Sequence, residues 1–285
     1  DLKTAKRIVF KVGTSTLTYK TGKTNIRCMA KLAAVLADLH NAGQEVVLVT
    51  SGAIGVGVGK LGLKERPKDT PGRQAAATVG QCELMFMYDK LFGEYGQIVG
   101  QLLITRSDIE NGERRTNLIN SFEKLFEYGA IPIVNENDSV AVEEIVYGDN
   151  DSLSANVAKL VKADALIILT DIDGLYSGNP HEDKDAKHIP FVEGITDEIL
   201  ALAAPSSSKQ GTGGMITKLE AARTATACGT TVVIASGREP DVILKSVTGE
   251  SVGTCFKPVK ASLESRSRWI LSGLGVKGEL VIDEG

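Results

Sequence analysis

Six short stretches rich in apolar residues recur along the chain, at residues 8–12, 45–50, 97–105, 131–135, 165–170 and 231–235. Most are unbroken rather than alternating. A strand that is apolar on both of its faces has to be covered on both sides, which is the condition of a parallel central sheet. Between the runs lie longer stretches with apolar residues at helical spacing: 26–42, stopping at Gly43; 74–95; 114–128, stopping at Gly129; 152–162; and 215–228, stopping at Gly229. Glycine just past the last periodic residue is a helix stop signal. Strand and helix in alternation predict an α/β fold, a three-layer αβα sandwich around a mainly parallel sheet.

The chain has 285 residues, long enough to bury a substantial core without disulfides or metals. Its 42% hydrophobic and 24% charged residues are those of an ordinary globular protein. Lys and Arg total 32 against 36 Asp and Glu, a net charge of −4, which argues against nucleic-acid binding through a domain-wide positive field. Cys28, Cys82, Cys228 and Cys255 are far apart and form no C-x-x-C pair, so they are expected as thiols in a reducing compartment. His40, His181 and His188 show no metal-ligand spacing. The first residues do not look like a signal peptide, and no apolar run is long enough to span a bilayer. A cytoplasmic location, without membrane association, is expected.

Parallel α/β sheets bind ligands beyond the carboxyl ends of their strands. Lys11-Val12-Gly13-Thr14-Ser15 follows the first strand, and Thr50-Ser51-Gly52-Ala53 the second. Asn135-Glu136-Asn137-Asp138 ends another, with Gly148-Asp149-Asn150-Asp151 shortly after. Thr170-Asp171 closes the 165–170 strand, and Gly211-Thr212-Gly213-Gly214-Met215-Ile216-Thr217-Lys218 leads into a helix. Any one of these can be a structural turn. Together they gather small and polar residues at one edge of the sheet and point to an anion site. Gly13-Thr14-Ser15 and Gly211–Gly214 both suit phosphate, because backbone N–H groups at a helix N-terminus attract it. The G-x-x-x-x-G-K-[ST] loop and the protein-kinase motifs are absent. Residues 57–62 match G-x-G-x-x-G, but too far beyond the strand end for a dinucleotide site.

The set of segments just quoted resembles the amino-acid kinase superfamily. The Asn-Glu-Asn-Asp and Gly-Asp-Asn-Asp motifs look most like its branch that phosphorylates glutamate. The resemblance runs from about residue 6 to about residue 256. It implies transfer of the γ-phosphoryl group of ATP to the γ-carboxylate of L-glutamate, the first step of proline biosynthesis. It implies catalytic roles for Lys11, Lys218 and Asp151, the carboxylate organising the two lysines. Ser51, Asp138 and Asn150 match positions that hold glutamate. Lys11, Gly13, Thr170, Asp171 and the run Thr212, Gly213, Gly214, Met215, Ile216, Thr217, Lys218 match the ATP site. Mg²⁺ comes with ATP and is expected mainly on phosphate oxygens and water, so no metal ligand is assigned.

Each of these residues also has a plain structural role open to it. Lys11 can be an exposed strand-end lysine and Lys218 a solvated first-turn lysine, although the helix dipole there favours a compensating anion. Asp149, Asn150 or Asp151 can cap a helix, and so can Ser51. Residues 140–147 are a candidate lid or inhibitor element, and 206–210 a segment that orders on ATP binding.

The resemblance also implies feedback inhibition by proline, a homo-oligomer, and a glutamyl-phosphate reductase as partner. Residues 1–257 are expected to form the kinase domain. Residues 258–285, with Arg268-Trp269-Ile270, resemble the start of a truncated PUA domain. Rival assignments are sister kinases acting on carbamate, acetylglutamate, aspartate or UMP, a silent amino-acid sensor, and an RNA binder working through the C-terminal arm.

Overall fold

The computed structural model describes residues 2–19, 23–141, 150–178, 180, 183, 185–203, 214–238 and 240–258. The strands are β1 (Arg7–Val12), β2 (Glu45–Val49), β3 (Ile98–Ile104), β4 (Ala130–Glu136), β5 (Ala165–Thr170), β6 (Leu175–Tyr176), β7 (His188–Ile189), β8 (Phe191–Val192), β9 (Thr231–Ser236) and β10 (Thr254–Phe256). The helices are α1 (Thr14–Leu17), α2 (Ile26–Asn41), α3 (Ala53–Lys60), α4 (Thr70–Gly93), α5 (Arg106–Glu110), α6 (Gly112–Glu127), α7 (Asp151–Leu160), α8 (Asp197–Ala201), α9 (Met215–Ala227) and α10 (Val242–Val247).

One sheet of eight strands runs in the order β3-β4-β2-β1-β5-β9-β10-β8. Pairing is parallel from β3 through to β9, and β10 then joins β9 antiparallel. Successive side chains on a strand point to opposite faces, and here both faces are apolar. Ile8, Phe10, Val46, Leu48, Ala165 and Ile167 enter one core, with Met29 and Leu36 of α2, Leu84 and Tyr88 of α4, and Ile243 of α10. Val9, Val47, Val49, Leu166 and Ile168 enter the other, with Phe122 of α6, Leu153 and Val157 of α7, and Leu219 and Ala222 of α9. This is the expected three-layer sandwich.

Lys11 shares the face of Val9 by the same alternation, between Val49 on β2 and Ile168 on β5. It therefore faces the layer that carries α7 and α9. The chain leaves β1 on the β2 side and returns on the other side at β5. That reversal opens a crevice at the carboxyl ends of the central strands.

Local signals account for several boundaries. Asn25 caps α2, its side chain accepting from the Cys28 N–H at 3.2 Å. Helix α4 starts at Thr70, four residues before the expected 74, because Asp69 accepts from the Gly72 N–H at 2.8 Å and Pro71 sits in the first turn. Gly52, not Ser51, takes the N-cap position of α3, at φ +98°, where a side chain would be strained. Gly57, from the G-x-G-x-x-G match, lies inside α3 and packs against α4. A Cβ there would fall 1.7 Å from the Ala76 carbonyl oxygen. Close helix packing, not a nucleotide, explains that glycine. The short elements α5, α8, α10, β6 to β8 and β10 have no counterpart among the sequence expectations. Each is too short for a period to be visible.

Candidate active site

Lys11, Asp151 and Lys218 arrive from β1, α7 and α9 and meet at one point. The Lys11 Nζ lies 2.5 Å from Asp151 Oδ1. The Lys218 Nζ donates to Oδ2 at 3.0 Å, and the Thr217 hydroxyl donates to the same oxygen at 3.2 Å. All three charged residues are buried, Asp151 completely. Asp151 is the first residue of α7, where the helix dipole favours a negative charge. Lys218 lies in the first turn of α9, where the dipole disfavours a cation, and the carboxylate offsets that cost. Neither lysine is solvated, so the plain alternatives raised for them do not describe this arrangement. The three groups together carry a formal charge of +1.

A second cluster joins the ends of β2, β4 and α7. Asn150 stands at the N-cap of α7, but its side chain makes no capping bond. Its Nδ2 instead donates to the Thr50 carbonyl oxygen and, at 2.7 Å, to Asn135 Oδ1. The Glu136 N–H also donates to Asn135 Oδ1, at 3.0 Å, and Asn135 Nδ2 donates to Gln81 Oε1 at 2.7 Å. The Thr50 and Tyr88 hydroxyls bond to each other at 2.7 Å beneath the site. Ser51 is buried beside Thr50. Asp138 lies two residues beyond β4, half-buried. Burial pushes its carboxyl up to about 6, opposed by the positive charge of Arg66.

On the other side of β1, the Thr170 hydroxyl at the end of β5 donates to Asp171 Oδ1 at 3.0 Å, and the Gly237 N–H donates to the Thr170 carbonyl at 2.7 Å. Gly13 follows Lys11 with extended backbone, and a Cβ there would lie 3.7 Å from the Lys11 Nζ. Gly214 is the N-cap of α9, with Met215 and Ile216 half-buried in its first turn. Thr212 and Gly213 lie outside the described residues, as do most of the 140–147 segment, all of 206–210 and residues 259–285. Among the described residues, no group of three or more His, Cys, Asp or Glu side chains is placed to hold a metal ion. None of the described helices is long and apolar enough to cross a membrane.

Gln81, Asn135, Thr50 and Tyr88 have no role among the sequence expectations. Gln81 carries a visible signal, since it interrupts the apolar face of α4 formed by Ala77, Leu84 and Tyr88. Asn135 belongs to a quoted motif, but which of its neighbours it bonds is a matter of tertiary structure.

The class of protein follows from fold and family together. A model of the amino acid kinase family matches residues 6–236, and the chain belongs to that family. Among curated relatives it is similar to the glutamate 5-kinase of Caldanaerobacter subterraneus subsp. tengcongensis, 50% identical over 279 residues, covering 98% of this chain and 75% of that protein. It is also similar to the glutamate 5-kinase of Clostridium perfringens, 51% identical over 259 residues, covering 90% of this chain and 96% of that protein. Among solved structures, the UMP kinase of Bacillus anthracis shares the fold with a TM-score of 0.61 at 17% identity, over 90% of this chain and 97% of that one.

Proposed function

We propose that this protein transfers the γ-phosphoryl group of ATP to the γ-carboxylate of L-glutamate, giving L-glutamyl 5-phosphate and opening proline biosynthesis. The observation that carries the proposal is the buried Lys11–Asp151–Lys218 constellation, in a chain half identical to glutamate 5-kinases over nearly its whole length.

The reaction brings two anions together. A carboxylate oxygen of glutamate attacks the γ-phosphorus, the bond to the β,γ-bridging oxygen breaks, and ADP leaves with that electron pair. The nucleophile is already ionised, so no general base is needed. Catalysis is then positioning and charge neutralisation. Lys11 and Lys218 supply the positive charge to the phosphates in a water-poor pocket, where it acts most strongly. Asp151 holds both ammonium groups in place. Ser51, Asn150 and Asp138 receive glutamate: a hydroxyl donor for a carboxylate, and two acceptors for the α-ammonium. Thr170, Asp171, Gly13 and the segment from Thr212 to Lys218 hold ATP.

Mg²⁺ neutralises phosphate charge when bound. The preference of Mg²⁺ for phosphate oxygens and water supports placing it mainly there, with no protein ligand assigned. The acyl phosphate product is labile, which makes a glutamyl-phosphate reductase the expected partner; feedback inhibition by proline is what the family resemblance adds. The same reading gives a cytoplasmic homo-oligomer, a kinase domain over residues 1–257, and a C-terminal segment 258–285 that begins a PUA domain.

The test is incubation with ATP, Mg²⁺, glutamate and hydroxylamine, which traps acyl phosphates as hydroxamates. Hydroxamate is expected with glutamate. Product with acetylglutamate or aspartate and none with glutamate would move the assignment to a sister kinase.

A further inference from the structure

Gln81 stands on α4, on the far side of Asn135 from the site, yet it ends a chain of amides that reaches Asn150. A primary amide has one donor end, with two N–H groups, and one acceptor end. Both N–H groups of Asn150 are committed inward, one to the Thr50 carbonyl and one to Asn135 Oδ1. The acceptor end of Asn150, its Oδ1, is therefore the end left to meet a ligand.

This polarity depends on Asn135. Its Oδ1 faces two donors, the Asn150 amide and the Glu136 N–H, so its own N–H groups face the other way. There Gln81 Oε1 accepts at 2.7 Å. If that acceptor is removed, Asn135 keeps the Glu136 N–H and the Asn150 amide on its Oδ1 but loses the acceptor for its Nδ2. The oxygen it presents to Asn150 is then held less firmly, and Asn150 relies more on the Thr50 carbonyl alone.

We propose that Gln81 is a positioning residue. Through Asn135 it locks Asn150 as a hydrogen-bond acceptor, and so makes the site select substrates that carry a free α-ammonium group. The proposal rests on glutamate being the acceptor substrate. With Asp138, the fixed Asn150 oxygen gives the site two acceptors and no competing donor from these groups. An amine-free diacid, such as glutarate, then leaves both acceptors without a partner, which weakens its binding.

The experiment compares wild type with Gln81→Met, which keeps the length of the side chain but offers no oxygen, and Gln81→Glu, which keeps an acceptor oxygen at the same reach. KM for glutamate, KM for ATP, kcat, and Ki for glutarate are measured, with thermal unfolding of each protein. Gln81→Met is expected to raise KM for glutamate about tenfold, the effect of one mis-set buried hydrogen bond. KM for ATP should stay unchanged, and the preference for glutamate over glutarate should shrink by a similar factor. Gln81→Glu is expected to stay within about twofold of wild type in that preference. A folded Gln81→Met enzyme with the wild-type preference overturns the proposal. Equal losses in both variants that track a drop in unfolding temperature overturn it too, since they mark a packing role. If wild type turns over glutamate and Gln81→Met keeps the preference, the inference alone fails. If wild type does not phosphorylate glutamate, the functional reading fails, and this inference with it.

Discussion

Lys11 and Lys218 each take one oxygen of a single buried carboxylate, at 2.5 and 3.0 Å from Asp151. One carboxylate stands between two ammonium groups, and all three side chains are buried. Removing its charge takes the shared carboxylate from both lysines. Asp151→Asn is therefore expected to lose about 3–5 kcal/mol of stability, the cost of breaking a buried pair. Turnover should fall at least about a hundredfold. Urea unfolding and hydroxamate formation measure the two. A stable variant with normal turnover would leave this trio without a catalytic role.

Lys218→Met makes the converse test. It removes the surplus charge and leaves Lys11 and Asp151 as a neutral pair, so the fold should tolerate it. The positive charge offered to the phosphates is lost, and kcat should fall by about a hundredfold to a thousandfold. An unfolded variant would mark Lys218 as a structural residue, and full activity would remove it from the phosphate site.

The role proposed for Asp138 predicts that substrate binding is sensitive to pH. Burial pushes its carboxyl up to about 6 from an ordinary 3.8. Between those values the folded protein holds more proton than the unfolded chain. The contribution of this group to stability is thus fully present below the lower value, and is lost as pH rises through the upper one. An α-ammonium ligand needs the ionised form, so KM for glutamate should rise as pH falls below about 6, approaching tenfold per pH unit. Glutamate keeps its own side chain ionised over most of this range. Asp138→Asn should show a high KM that no longer varies. A flat wild-type profile between about pH 5 and 8 would remove Asp138 from ammonium binding.

The sheet was legible in the sequence because its central strands are buried on both faces. Unbroken apolar runs as short as residues 165–170 and 231–235 suit a strand covered on both sides and little else. The strand-end segments were legible for a topological reason: any parallel sheet places them at one edge. Hydrogen-bond polarity was not legible. Asn150 was open to donating or accepting, and only the contacts with Thr50 and Asn135 decide which. Nor could periodicity show that Gly57 and Gly80 face each other, because helix crossing is set by two segments that are distant in the pattern.

That crossing gives the last prediction. A Cβ on Gly80 would lie 1.8 Å from the Ala53 carbonyl oxygen, and one on Gly57 would lie 1.7 Å from that of Ala76. The atoms in the way are backbone, which cannot swing aside, so α3 and α4 must separate to admit a methyl group. Helix α3 begins directly after Ser51 and Gly52, so its displacement moves the segment proposed to hold glutamate. Thr170 ends β5, Asp171 follows it and Lys218 lies on α9, so none of them is carried with it. Gly80→Ala is expected to cost about 1–3 kcal/mol of stability and to raise KM for glutamate while sparing KM for ATP. Gly93→Ala, at the other end of α4 with nothing within 4 Å, serves as the control. It should be neutral or stabilise by up to about 1 kcal/mol, since alanine is the better helix former. If Gly80→Ala matched Gly93→Ala in unfolding and in both KM values, the α3–α4 contact would not be what holds Ser51 in place.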